Sequence, residues 1–147
     1  DSIVVEIGTM LGDGAAVLSA AFPGRRIITV DPGPNKAVKA VASERLKHWY
    51  AVEQWHTTSL EAASRVAKEG LKIGLVYIDG DHSEEAVRKD IRTWRELLVD
   101  GGTLAGHDWG DRNWETVTRA VKAEIGMPLQ VFEDGSWIGL VKGRDRL

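Results

Sequence analysis

The sequence predicts an α/β fold: a doubly wound sheet of seven strands, mostly parallel, with an antiparallel C-terminal hairpin. Three observations carry that expectation. Short β-branched runs alternate with longer stretches of helical periodicity, as in a series of βαβ units. The first run, SIVVEIG, leads through a glycine-bearing turn straight into a helical pattern. The tail LQVFEDGSWIGLV is two alternating runs around Asp134–Gly135, which reads as a hairpin.

In chain order, strands are expected at Ile3–Ile7, Arg26–Val30, Ala51–Gln54, Ile73–Ile78 and Thr103–Ala105, ahead of the two hairpin strands. Helices are expected at Asp13–Phe22, Pro34–Lys47, Leu60–Glu69, Glu84–Leu98 and Trp114–Ile125. In the fourth helix, Val87, Ile91, Trp94 and Leu98 recur at helical spacing and form one buried stripe. Asp81 with Glu84 reads as a capping box at its start, and Gly101–Gly102 follow its end. Thr58 with Glu61 offers a second capping box, and Gly70 is placed to stop the helix it opens. No repeat, low-complexity tract or linker divides the chain, so one domain over residues 1–147 is expected.

Composition narrows the function classes. Apolar residues make up 43% of the 147 and charged residues 28%, as in an ordinary folded domain with a real core. The formal net charge of −3 gives no electrostatic reason to expect a nucleic-acid or anionic-membrane partner. No cysteine is present, which excludes disulfides and zinc–thiolate sites and is compatible with the expected cytoplasmic location. No apolar run is long enough to span a bilayer.

The chemistry-bearing stretches are EIGTMLGDG at residues 6–14 and IDGDH at 78–82. In the first, a glycine turn admits a ligand close to the backbone, and the helix behind it offers free N–H groups. A dinucleotide fingerprint beginning at Gly8 would need glycines where Met10 and Asp13 stand, so it fails. Asp31 ends the second strand roughly 20 residues past the turn, where an acid can accept from both ribose hydroxyls. A ribose without a pyrophosphate fits these features. The plainer reading remains open, in which the glycines serve a tight connection and Asp31 a turn before Pro32–Gly33.

At these residues the chain resembles the class I S-adenosylmethionine-dependent methyltransferases, whose Rossmann-like sheet has an antiparallel last strand. The resemblance rests on Glu6-Ile7-Gly8-Thr9-Met10-Leu11-Gly12, on Asp31, and on WHTTSLEA. It continues through VYIDGDHSEEAVRKDIRTWRELLVDGGTLAGHDW, which looks like the small-molecule O-methyltransferases, including sugar- and macrolide-modifying relatives. It implies S-adenosyl-L-methionine as cofactor, held by Glu6, Gly8, Thr9, Met10, Asp31, Thr58, Ser59 and Asp79. A hydroxyl of a small molecule is the implied methyl acceptor. Many members carry lid helices before the first strand, and this chain shows none. A lidless core that binds the cofactor without catalysis is therefore the alternative, and a homo-oligomer lending cover to the site is another.

The resemblance also implies a divalent metal such as magnesium, held by Asp79 and Asp108 with His107 as third ligand. Hard cations take oxygen ligands and lower the pKa of a coordinated hydroxyl. An imidazole suits softer metals better, so His107 leaves the identity of the ion open. Asp81 matches a proposed general base in the sugar-modifying relatives, and His82 beside it has the intrinsic pKa for that task. Each has a plainer role: Asp81 as helix cap, His82 as a surface residue of the first helical turn. Trp109 and Trp114 either wall an acceptor pocket or pack a loop against the sheet. A nucleic-acid base methyltransferase is disfavoured, because the prolines and aromatic such enzymes carry after the fourth strand are replaced by Gly80-Asp81-His82.

Overall fold

In the computed structural model, which describes residues 2–33 and 35–143, seven strands and five helices alternate as expected. The strands are β1 (Ile3–Ile7), β2 (Ile27–Val30), β3 (Val52–Trp55), β4 (Ile73–Ile78), β5 (Leu98–Gly106), β6 (Gln130–Val131) and β7 (Trp137–Val141). The helices are α1 (Asp13–Ala21), α2 (Lys36–Leu46), α3 (Ser59–Glu69), α4 (Glu84–Leu97) and α5 (Glu115–Ile125). The sheet order is β3-β2-β1-β4-β5-β7-β6, and only the β5–β7 and β7–β6 pairs are antiparallel. The chain winds outward from β1 to β3, then returns to β4 on the other side of β1. Right-handed crossovers place α1 and α2 on one face and α3 to α5 on the other. The pairings α1 with α2, α3 with α4, and α4 with α5 agree with that division.

The central strands are buried on both faces and read for that reason as apolar runs, interrupted by Glu6 in β1 and Thr29 in β2. Trp94 and Trp137 are the largest fully buried side chains, and both anchor α4 and β7 to the sheet centre. Strand order fixes the site as well. Reversal of winding between β1 and β4 leaves a crevice outside their carboxyl ends, where loops from both halves meet.

Four local expectations need correction. The cap of α4 is Ser83, whose Oγ accepts from the Ala86 N–H at 3.4 Å. Asp81 instead accepts from the Ser83 N–H at 2.8 Å, one turn earlier, so the Asp81–Glu84 capping box does not form. Leu98, already extended, ends α4 without help from the glycine pair. Gly101 and Gly102 lie inside β5, where the register jumps between Leu98 and Thr103 and Gly101 takes a φ of +79°. The helix expected from Pro34 begins at Lys36 with Asn35 as cap, Pro34 itself lying outside the described residues. The Thr58–Glu61 capping box, the Gly70 stop and the turn at Asp134–Gly135 are all present. Among the described residues no helix is long and apolar enough to cross a membrane.

Candidate active site

The site is built where β1 ends. Gly8 has a φ of +101°, and a Cβ there would run into the backbone carbonyl of Asp79, the residue that follows β4. Glycine thus lets the two strand ends close together, and the turn bends away over them. Met10 at φ +42° and Gly12 at φ +84° complete the bend into α1. Asp31, at the end of β2, pins it. One carboxylate oxygen accepts from the Thr9 and Met10 N–H groups at 3.2 and 3.1 Å, and the other from the Gly33 N–H at 2.7 Å. Thr9 and Thr29 share a hydroxyl contact of 2.6 Å, and Thr29 donates to Glu6 at 2.5 Å.

Glu6 is only 2% exposed and lies against the start of α1, where a Cβ on Gly14 would overlap its carboxylate. Burial pushes its pKa up to about 7; the Thr29 hydrogen bond opposes the rise, and the charges of Asp79 and Asp31 add to it. A carboxyl raised from 4.5 to about 7 keeps its proton in the folded chain when the unfolded chain has lost it. The contribution is whole below the unfolded pKa and is lost as pH rises through the folded one. The melting temperature is therefore expected to climb as pH falls from about 8 toward about 5, by an amount on the order of 3 kcal/mol in stability for this group. Scanning melts of the wild type against Glu6→Gln check this, since the variant should lose this group's share of the slope and keep that of Asp90, whose carboxyl burial also raises.

Across the crevice, Thr58 caps α3 and receives the Glu61 N–H at 3.3 Å, while Glu61 accepts from the Thr57 and Thr58 hydroxyls and the Thr58 N–H. Those donors hold Glu61 down to about 2. The Ser59 hydroxyl is occupied inside the protein. It donates to Asp90 Oδ1 at 2.5 Å and accepts from Trp94 Nε1 at 2.8 Å. Asp90 is 6% exposed, and burial lifts its pKa to about 6, with the Ser59 bond opposing. Sequence reasoning missed Asp90, although the signal was there: a carboxylate stands between Val87 and Ile91 on the buried stripe of α4.

The carboxylate and imidazole cluster forms at the ends of β4 and β5. His82 Nε2 lies 2.8 Å from Asp108 Oδ2 and 3.5 Å from Asp79 Oδ1. Its ring stacks on Trp114 at a centroid distance of 4.3 Å, and its carbonyl accepts from the Thr116 hydroxyl at 2.6 Å. The start of α5 therefore clamps His82 over the two acids. Asp108 is 8% exposed and sits at φ +64°, a left-handed conformation uncommon for aspartate that turns its side chain back toward the sheet. Burial raises the Asp79 pKa; His107 and His82 oppose the rise and Asp108 adds to it. Among the described residues the one set whose donor atoms all lie within 4.8 Å is Asp79, His82 and Asp108. His107, the expected third ligand, instead has its Nδ1 3.1 Å from Asp108 Oδ1. It stands beside the cluster, close enough to oppose the rise of the Asp79 pKa, but outside that set. Trp109 packs against the core, and Trp114, 42% exposed, is the aromatic that reaches the cluster.

One cavity of about 640 Å³ joins these parts. Glu6, Gly8, Thr9, Met10, Asp31, Thr58, Ser59 and Asp79 all line it, as do Asp81 and His82. Ala86, Lys89 and Asp90 of α4 close one side. His107 and Asp108 stand behind His82, outside the cavity lining. The size lies within the range of small-molecule and cofactor sites.

A family model described as a methyltransferase domain matches residues 5–109. Among solved structures, CalS11, a TDP-rhamnose 3′-O-methyltransferase of calicheamicin biosynthesis, superposes with a TM-score of 0.76 at 18% identity, covering 99% of this chain and 73% of that one. The O-methyltransferase TomG from Streptomyces achromogenes, in complex with SAM, gives 0.71 at 20% identity, covering 95% and 73%. An O-methyltransferase from Bacillus cereus, in complex with SAH, gives 0.68 at 16%, covering 92% and 70%.

Proposed function

The chain belongs to the methyltransferase-domain family, and on that premise we propose that it methylates a hydroxyl of a small molecule with S-adenosylmethionine. The observation that supports this most is the continuity of one cavity from the Gly8 turn and Asp31 to Asp79 and His82. When bound, S-adenosylmethionine supplies an electrophilic methyl group on a sulfonium sulfur. The chain's own residues hold, align and accept a proton. Asp31 presents carboxylate oxygens to ribose hydroxyls, and the turn from Gly8 to Met10 lets the backbone approach. Thr58 and Ser59 border the end where a base would lie. Alignment supplies much of the rate, because a sulfonium methyl needs little further activation.

His82 is the better placed of the two candidate bases. Its ring is fixed by Trp114 and by Asp108, whereas Asp81 is exposed and spends one oxygen on the Ser83 N–H. With Nε2 facing Asp108, the Nδ1 of His82 is free to take the proton of an acceptor hydroxyl. The donor set of Asp79, His82 and Asp108 also fits a divalent cation, one imidazole nitrogen with two carboxylates. Those three residues would hold it, with His82 then a ligand through Nε2 and not the base, and it would lower the pKa of a coordinated hydroxyl. Such a mixed set favours manganese, cobalt or zinc over magnesium. Manganese affinity, read by calorimetry, is expected to fall about 10-fold or more in His82→Gln and to stay near wild type in His107→Gln. The reverse ranking would restore His107 as the ligand.

The function itself is tested in two steps. Calorimetry with S-adenosylhomocysteine is expected to give micromolar binding. Transfer of a radiolabelled methyl group to hydroxylated sugars, catechols and phenols should then identify an acceptor. The activity of CalS11 on TDP-rhamnose puts deoxysugar nucleotides first in that panel. Binding without transfer across the panel and a series of divalent ions would favour a cofactor-binding module.

A further inference from the structure

Asp90 is a buried acid for which the methyl-transfer chemistry has no use, yet its side chain reaches the cavity. Its Oδ1 is occupied by the Ser59 hydroxyl at 2.5 Å. Its Oδ2 makes no hydrogen bond to a described residue. No fully enclosed side-chain oxygen among the described residues lacks a partner, so that oxygen must open onto the cavity. Ser59 cannot swing away to free the pair, because Trp94 Nε1 donates to it at 2.8 Å and Trp94 is fully buried. The result is a rigid Trp94–Ser59–Asp90 chain that ends in one unsatisfied acceptor.

The surroundings say what kind of donor it would take. Leu60 and Ala86 line the cavity beside Asp90 and offer apolar contact to a flat ring. Asp31 marks the ribose end and Asp79 with His82 the reacting end, so this corner is left for the base. A carboxylate only accepts hydrogen bonds, so it matches an exocyclic amine and repels a carbonyl at the same place. The raised pKa of Asp90 reflects a charge that the protein leaves under-solvated, a shortfall that an N–H donor would relieve.

We propose that Asp90 is a specificity-determining residue that accepts a hydrogen bond from the 6-amino group of the cofactor's purine, and so selects adenine over 6-oxo purines. The proposal rests on the reading of the cavity as the S-adenosylmethionine site. It adds a recognition element on α4, outside the loops after β1, β2 and β3 from which the sequence reading drew its ribose and base contacts.

The test is calorimetric. Wild-type protein is titrated with S-adenosylhomocysteine, with S-inosylhomocysteine, which carries a 6-oxo group, and with the N6,N6-dimethyl analogue, which has no N–H to give. Both analogues are expected to bind at least about 10-fold more weakly, the scale for losing a hydrogen bond to a charged group. Asp90→Leu, similar in size and without an acceptor, should bind the amino and oxo compounds about equally, with its fold checked by melting. Equal affinity of the wild type for the amino and oxo compounds would overturn the proposal while leaving the methyltransferase reading intact. So would full discrimination by a folded Asp90→Leu. Failure of the folded wild type to bind S-adenosylhomocysteine at all would overturn both. The wild-type comparison needs no variant to fold, so a misfolded Asp90→Leu leaves the proposal exposed to refutation.

Discussion

Gly8→Ala is expected to lower stability by about 3 kcal/mol or more and to abolish cofactor binding. Two costs coincide at this position. The φ of +101° lies where L side chains rarely go, which alone costs on the order of 1–3 kcal/mol. The new Cβ would also run into the Asp79 carbonyl and come within 2.9 Å of the Gly80 Cα. Both obstacles are backbone, so no rotamer change relieves them. The ends of β1 and β4 would have to part, and the register from Val4↔Leu75 to Ile7↔Ile78 holds them together along four consecutive pairs. Gly24→Ala serves as control. It has a φ of +78° but open space around the Cβ, so only the backbone cost of about 1 kcal/mol should appear. Chemical denaturation and S-adenosylhomocysteine titration of both variants give the answer. Equal behaviour of the two would mean that the close approach of β1 to β4 contributes nothing.

Asp31→Ala is expected to weaken S-adenosylhomocysteine binding by about 10- to 100-fold, the scale for unpairing buried polar groups. On the proposed reading this residue has two duties. It would face the ribose, and it holds three N–H groups, those of Thr9, Met10 and Gly33. A loss of affinity alone could come from either duty. A double-mutant cycle with a 2′-deoxyribose analogue of the ligand separates them. If Asp31 touches the ribose, the wild type discriminates against the analogue and Asp31→Ala does so much less. If Asp31 only pins the turn, both proteins lose the same factor with the analogue, and the melting temperature of the variant falls with its affinity. The ribose contact would then be dropped from the site.

The fold was legible because its signals are local. Five alternations of β-branched and helical stretches need a parallel sheet with crossovers, and the turn at Asp134–Gly135 needs an antiparallel pair. The glycine turn and Asp31 could be named for the same reason, each sitting at a fixed offset from the end of a strand. Boundaries were less legible. Asp81 looked like the α4 cap because its spacing to Glu84 is right, but Ser83 is two residues nearer the helix and took the role. The nine-residue β5 absorbs a glycine pair through a register jump, where pattern reading placed the stop of the fourth helix and began the strand only at Thr103.

What the sequence determined by itself is the class of the protein and the set of residues that could do chemistry. Periodicity and strand-end position are properties of neighbours along the chain. Which of those residues meet depends on how the elements pack in space. His82 rather than His107 faces both carboxylates, because α5 brings Trp114 and Thr116 against His82 while the left-handed turn at Asp108 directs that carboxylate inward. Ser59 is tied to Asp90, a residue 31 positions away, because α3 and α4 pack side by side. Such pairings depend on the angle between elements and on a single backbone torsion, and neither is written in the spacing of residues along a strand or a helix.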